Sequence, residues 1–226
     1  GLTAGGHERG SAHRALPGGS SASALFGQVT PDARARVLDW SRVHVWQGDE
    51  RFVPLDHADR NWTGALREWL EVDGDSGAIL HPIPVDEAIA GDHDAGWAAA
   101  RYAEELSAAL PEVEGVPAVD VLLLGMGGDG HILSTFPGTP PVSEERVPVM
   151  PVAAPTHIEP HLPRVTLSPF LLRGAGSIVV MVPGAGKAET VAEVMGSPLE
   201  PARLPAQLAL RPNATWLLEP GSAARL

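Results

Sequence analysis

Cysteine is absent from all 226 residues, tyrosine occurs once, and aromatic side chains make up only 5% of the chain. Without a thiol there is no disulfide framework, no thiolate nucleophile and no Cys-ligated zinc, and a reducing cytoplasm is the compartment such a chain permits. Positive charge is also scarce. With 16 Lys+Arg against 28 Asp+Glu the formal net charge is -12, which argues against nonspecific binding to nucleic acid or to anionic membranes. Any anionic ligand has to be caught by a few local cations. No run approaches the roughly 18 apolar residues that span a bilayer, and the opening GLTAGGHERGSAHRA lacks the apolar stretch of a secretion signal. The expectation is a soluble, cytoplasmic protein with neither nucleic-acid nor membrane partners.

What is present is an alternation of apolar runs and glycine turns. HRALPGGSSASALFGQV reads as a short strand, a turn at Gly18 and Gly19, hydroxyls at Ser20 and Ser21, and a helix from Ala22 to Val29. RVHVWQGDERFVP (42–54) alternates like a strand and ends in a charged loop, and DRNWTGALREWL (59–70) reads as a helix with Asn61 or Thr63 near its N-cap. HDAGWAAARYAEELSAAL (93–110) has helical spacing and is stopped by Pro111. AVDVLLLGM is nearly continuous in apolar residues, as suits a central parallel strand covered on both faces. RVTLSPFLLRGA, the strand GSIVVMVPG, the helix GKAETVAEVM and the strand ATWLLEP follow, while the proline-dense 137–169 reads as a long surface loop with short ordered pieces. This order predicts one domain over 1–226 of the α/β class: a mostly parallel sheet flanked by helices, a Rossmann-like three-layer sandwich with ligands at the carboxyl ends of its strands.

Three loops compete for the site: Gly18 to Ser21, Gly48 to Pro54, and Gly125 to Gly138. Gly125-Met-Gly-Gly-Asp-Gly130 matches the dinucleotide pattern G-x-G-x-x-G, but Pro137, Pro140 and Pro141 interrupt the helix that pattern needs. GAGK (184–187) lacks the spacing and ending of a P-loop. His157 and His161 stand four apart, yet Pro160 between them spoils the helical face of a zinc pair, so neither metal nor cofactor is expected. His131 has the side chain best poised to take a proton from water near neutral pH, with Asp129 two residues earlier to hold its tautomer; the plainer alternative is a packed histidine beside a capping aspartate. The Gly18–Ser21 turn suits phosphate, through backbone N–H groups and hydroxyls, as readily as it suits an ordinary capped turn. Arg51, Arg164 and Lys187 are the cations able to serve a phosphorylated substrate against the acidic background.

Taken together, GDERFVP followed by DRN, then GMGGDGH with FPG, then RVTLS and GAGKAE, in this order from about Ala15 to Leu218, are similar to the 6-phosphogluconolactonases. The glucosamine-6-phosphate deaminases share the Gly-Asp-Gly-His loop; DERFVP and FPG resemble the lactonase side. The resemblance implies hydrolysis of 6-phospho-D-glucono-1,5-lactone to 6-phosphogluconate, in the oxidative pentose phosphate pathway, without metal or cofactor. It implies His131 as general base, Asp129 beside it, Gly18, Gly19 and Ser20 with Ser21 at the phosphate loop, and Asp49 and Arg51 of the Asp-Glu-Arg motif facing the substrate. Arg164 and Lys187 fall in matching segments. Backbone N–H groups of the turn from Gly127 through Gly128 to Gly130 are candidate oxyanion donors. The partner expected is a small phosphosugar lactone, and the oligomeric state a monomer or weak homodimer.

Departures from the family pattern carry expectations of their own. Only about 14 residues precede the glycine turn, where the family has a helix and a strand, so an N-terminal truncation is expected. GGSSA keeps the hydroxyls of the usual GGSTP but loses the proline that starts the helix. Leu133 stands where a small residue is usual and is expected to narrow the pocket. Two rivals remain open: a deaminase using Asp49 or Glu50 as the proton-abstracting carboxylate, and a sugar-phosphate-binding module without turnover.

Overall fold

The computed structural model describes residues 10–18, 40–62, 78–138 and 146–226. Its elements are β1 (Ala12–Leu16), β2 (Val43–Gln47), β3 (Asp49–Arg51), β4 (Ile79–His81), α1 (Val85–Ala90), α2 (Ala95–Ala109), β5 (Glu112–Val113), β6 (Val116–Pro117), β7 (Val121–Gly125), β8 (Val149–Val152), β9 (Arg164–Leu167), β10 (Ser177–Val182), α3 (Ala188–Gly196) and β11 (Ala214–Leu218). Six strands form a parallel sheet in the order β11-β10-β7-β1-β2-β4. A smaller antiparallel sheet, β3-β9-β8, sits beside it, and β5 and β6 make a short hairpin.

The apolar run of β7 follows from its central place. Leu122 and Leu124 are fully buried in the larger core with Trp46, Tyr102 and Val180, while the intervening Leu123 packs against Leu16, Val43 and Val45 on the opposite face. Each fully buried leucine contributes about 1.5–3 kcal/mol. α2 begins at Asp94, whose side chain accepts the Trp97 N–H at 2.9 Å, and it buries Ala98, Ala99, Tyr102 and Leu106, one helical face. Its chain leaves the helix at Leu110, in extended conformation before Pro111. Tyr102 ties the layers together: its hydroxyl accepts the Gln47 N–H at 2.8 Å and lies 3.0 Å from the His81 carbonyl, so one buried ring holds the ends of β2 and β4.

Strand order reverses between β1 and β7, since β1 leads on to β2 on one side and β7 to β10 on the other. That reversal opens a crevice at the carboxyl ends of the two strands, where open α/β sheets hold ligands.

Several expectations are corrected. The charged loop read at the end of the strand in 42–54 opens with a second strand, β3, set off at Gly48, whose N–H donates to Leu16 O and whose carbonyl accepts from Leu167 N, both at 2.8 Å. The bend sends β2 into the parallel sheet and β3 into the small one. Asp59–Trp62 is turn and bend rather than helix, because the Asn61 and Trp62 N–H groups are taken by the Glu50 carboxylate. The segment read over 137–169 as a surface loop with short ordered pieces has those pieces in β8 and β9, but β9 is fully buried rather than at the surface. The helix expected at Ala22–Val29, residues 63–70 and the positions Gly19, Ser20 and Ser21 lie outside the described residues.

Candidate active site

A cleft of about 200 Å³ fills the crevice. Pro17 and Gly18 come to it from the end of β1, Gly125, Met126 and Gly127 from the end of β7, and Asp49 and Arg51 from β3. Arg164 enters from β9 and Lys187 from the turn before α3, while His131, Leu133 and Asn61 complete the wall. Chain positions far apart thus converge on one end of the sheet.

The turn after β7 is built to present His131. The Gly127 N–H donates to His131 O at 2.9 Å and the Gly130 N–H to Gly127 O at 3.1 Å, closing the loop on itself. A Cβ at Gly127 would stand 2.1 Å from the His131 ring, so only glycine lets the imidazole lie against this backbone. Nδ1 of His131 is 2.6 Å from Oδ1 of Asp129, and the aspartate also receives the His131 N–H at 3.2 Å. Burial works to raise the Asp129 pKa, but the hydrogen bonds and charge of His131, with a further bond from His157, outweigh it and hold the carboxyl well below the usual carboxylate range. An ionised carboxylate can only accept, so Nδ1 carries the proton and a neutral imidazole keeps its lone pair on Nε2. Nε2 of His131 meets no hydrogen-bonding group among the described residues.

The expectation for the turn's N–H groups is corrected in part. Those of Gly127 and Gly130 are consumed inside the turn, which leaves the N–H groups of Gly128 and Asp129. Gly128 itself does not line the cleft, and its carbonyl accepts the Thr190 hydroxyl at 2.6 Å.

Three cations face the cleft, and among the described residues none forms an ion pair within 4 Å. Arg51 spends Nη1 on Asp59 O at 2.7 Å, Arg164 reaches Pro160 O at 3.3 Å, and Lys187 donates to Met126 O at 2.7 Å. The Nε–H groups of both arginines are buried without a partner. Burial pulls Arg164 below its ordinary pKa against the opposing charge of Asp49, and pulls Lys187 down against that of Glu219. In a chain of net charge -12, three cations with spare donors on one cleft make it locally positive, which suits an anion.

Gly18 reaches this site as expected; a Cβ there would lie 2.2 Å from Asn61 Cγ, which explains why the chain passes here as glycine. Asp49 is nearly buried and accepts the Ser134 hydroxyl at 2.8 Å. Leu133 lines the cleft in left-handed conformation, φ 54°. Sequence reading placed Asn61 only as a helix cap within DRN, whereas it lines the cleft, and Ser134 stands behind the wall as the partner of Asp49. His157 was read only as half of a metal pair; it turns to Asp129, and His161 turns instead to Pro155 O at 2.7 Å.

A family model described as "Glucosamine-6-phosphate isomerases/6-phosphogluconolactonase" matches residues 2–218. The chain belongs to that family. A 6-phosphogluconolactonase of Mycobacterium bovis is 38% identical over 221 residues, 96% of this chain and 86% of the relative, and one of Streptomyces coelicolor is 34% identical over 222 residues, 96% and 83%. Among solved structures, the 6-phosphogluconolactonase from Trypanosoma brucei superposes with a TM-score of 0.82 at 28% identity, covering 100% of this chain and 90% of that one. A monomeric glucosamine-6-phosphate deaminase, 16% identical with a TM-score of 0.73 over 97% of this chain and 90% of its own, shares the fold of this family. Among the described residues no helix is long and apolar enough to cross a membrane.

Proposed function

We propose that this family member is a 6-phosphogluconolactonase, hydrolysing 6-phospho-D-glucono-1,5-lactone to 6-phospho-D-gluconate in the oxidative pentose phosphate pathway. The observation that carries the reading is the His131–Asp129 pair set in one cleft with the cations Arg51, Arg164 and Lys187. Both halves of the substrate are answered there: a base for water at the lactone, and positive charge for the phosphate.

In this mechanism Nε2 of His131 takes a proton from water as its oxygen attacks the lactone carbonyl. Asp129 holds the Nδ1–H and stabilises the imidazolium that forms. The carbonyl oxygen gains negative charge as the tetrahedral intermediate forms, and a hydrogen-bond donor beside it lowers that barrier. As the tetrahedral intermediate collapses, the ring C–O bond breaks and the imidazolium returns the proton to the departing oxygen. A cyclic ester needs no more than this from protein side chains. Arg51, Arg164 and Lys187 hold the phosphate, with Gly18 at the start of the loop whose Gly19, Ser20 and Ser21 would join them.

The deaminase alternative loses one of its two candidate bases. Glu50 is wholly buried and its carboxylate already accepts from Gln47, Arg51, Asn61 and Trp62. As part of the same proposal the enzyme acts in the cytoplasm as a monomer or weak homodimer.

The test is a coupled assay in which 6-phosphogluconolactone is generated in situ and 6-phosphogluconate is followed by a dehydrogenase, with wild type and His131→Ala compared against spontaneous hydrolysis. Wild type should accelerate the reaction, and His131→Ala should cut turnover by roughly 10²-fold or more while binding 6-phosphogluconate nearly as well. A folded wild type with no acceleration that still binds the product would leave the sugar-phosphate-binding module as the better reading.

A further inference from the structure

Asp129 has two carboxylate oxygens, and His131 occupies only one. Oδ1 takes the His131 Nδ1–H at 2.6 Å; Oδ2 lies 3.1 Å from Nε2 of His157, which comes from the loop between β8 and β9. An ionised carboxylate accepts only, so Nε2 of His157 is the donor. This is the one hydrogen bond His157 makes among the described residues. Its ring is also seated. It meets Phe136 edge-on with centroids 5.8 Å apart, while Phe136, itself 2% exposed, contacts the His131 ring at 4.7 Å and lies under the Arg164 guanidinium at 5.0 Å. The charged and titratable groups gathered around His157 are therefore Asp129, His131 and Arg164.

We infer that His157 is a positioning residue for the catalytic pair: by holding Oδ2 it fixes the plane of the Asp129 carboxylate, and through it the tautomer and aim of His131. The inference rests on the reading of His131 as general base. A carboxylate bound at one oxygen can still turn about its broad terminal torsion. A donor on each oxygen removes that freedom, as outer partners do for histidines whose second nitrogen must be aimed. His157 thus acts on the geometry of the base.

The experiment measures kcat and KM for lactone hydrolysis from about pH 5 to 9 with wild type, His157→Ala, His157→Gln and His131→Ala, alongside thermal unfolding of each. His157→Ala should lower plateau kcat roughly five- to tenfold, the scale of one lost hydrogen bond, and leave KM within about twofold. His157→Gln, whose amide nitrogen has a similar reach, should restore most of the rate. Because His157 is 44% exposed at its side chain, neither variant should unfold earlier than wild type. A His157→Ala enzyme with wild-type kcat overturns the inference, and so does a glutamine variant no better than alanine. If His131→Ala keeps the wild-type rate, the base assignment itself falls and takes this inference with it. If His131→Ala is inactive while His157→Ala behaves as wild type, only the role of His157 falls.

Discussion

Arg60 Nε and Glu50 Oε2 lie 3.1 Å apart, and neither side chain is more than 1% exposed. Around this ion pair the segment from Asp49 to Trp62 is wound. Glu50 also gathers the N–H groups of Arg51, Asn61 and Trp62, and Arg60 donates to Val53 O at 2.6 Å and reaches Asp86 at 3.1 Å. The pair does no chemistry of its own; it shapes the loop that carries Arg51 and Asn61 to the cleft. Glu50→Gln takes from the buried guanidinium one of its two carboxylate partners, Asp86 remaining, and should cost about 1.5–3 kcal/mol of unfolding free energy, the scale of a lost charge-assisted hydrogen bond. Urea unfolding measures it, and a loss under about 1 kcal/mol would show that the loop is held by other contacts.

Asp129 should leave a signature in stability. Its folded-state pKa is depressed below the unfolded value of about 3.9, so the stability it contributes is present above that pH and drains away as the solution is acidified toward the folded value. Wild type should exceed Asp129→Asn in unfolding free energy near neutrality, and the gap should narrow once the pH drops below about 4. Urea midpoints collected from pH 7 to 3 give the comparison. A gap that stays constant, or widens on acidification, contradicts the assignment.

Arg51 has a buried Nε–H without a partner and no ion pair among the described residues, so its charge is available to a ligand. Arg51→Ala should weaken 6-phosphogluconate binding by about 1.5–3 kcal/mol, the scale of a lost charge-assisted hydrogen bond. Calorimetric titration of gluconate and 6-phosphogluconate in parallel separates phosphate recognition from recognition of the sugar chain. Unchanged affinity for the phosphorylated ligand would remove Arg51 from the phosphate site.

Leu133 combines a left-handed backbone with a nearly buried side chain, 8% exposed, against the cleft. Glycine there relieves a strain of roughly 1–2 kcal/mol and alanine does not, although both give up the buried side chain. Leu133→Gly should therefore be less stable than wild type and more stable than Leu133→Ala, by about 1 kcal/mol for the second comparison. Both variants should accept the lactone with a KM no higher than wild type, since the wall beside His131 recedes. Alanine proving the more stable of the two would show that the positive φ is not the controlling term.

The sequence alone determined what is written in short runs of residues. The apolar stretches at 121–125 and 177–182 became central parallel strands, and the helical spacing at 93–110 became α2, because burial periodicity is a property of neighbouring positions. The pairing of Asp129 with His131 was equally legible, since two residues across one glycine in a tight turn meet with little help from the rest of the chain. Tertiary structure decided everything that depends on distant segments. At Gly48 the chain passes from one sheet to the other, where a charged loop was read, because Leu16 and the distant Leu167 bond its backbone. Arg51, Arg164 and Lys187 meet on one cleft only where the strand order reverses, and His157 leaves its apparent partner His161 for Asp129 only in the folded chain. Local patterning selects elements through their exposed and buried faces, whereas a site built from four strand ends exists only after crossover connections have set which ends are neighbours.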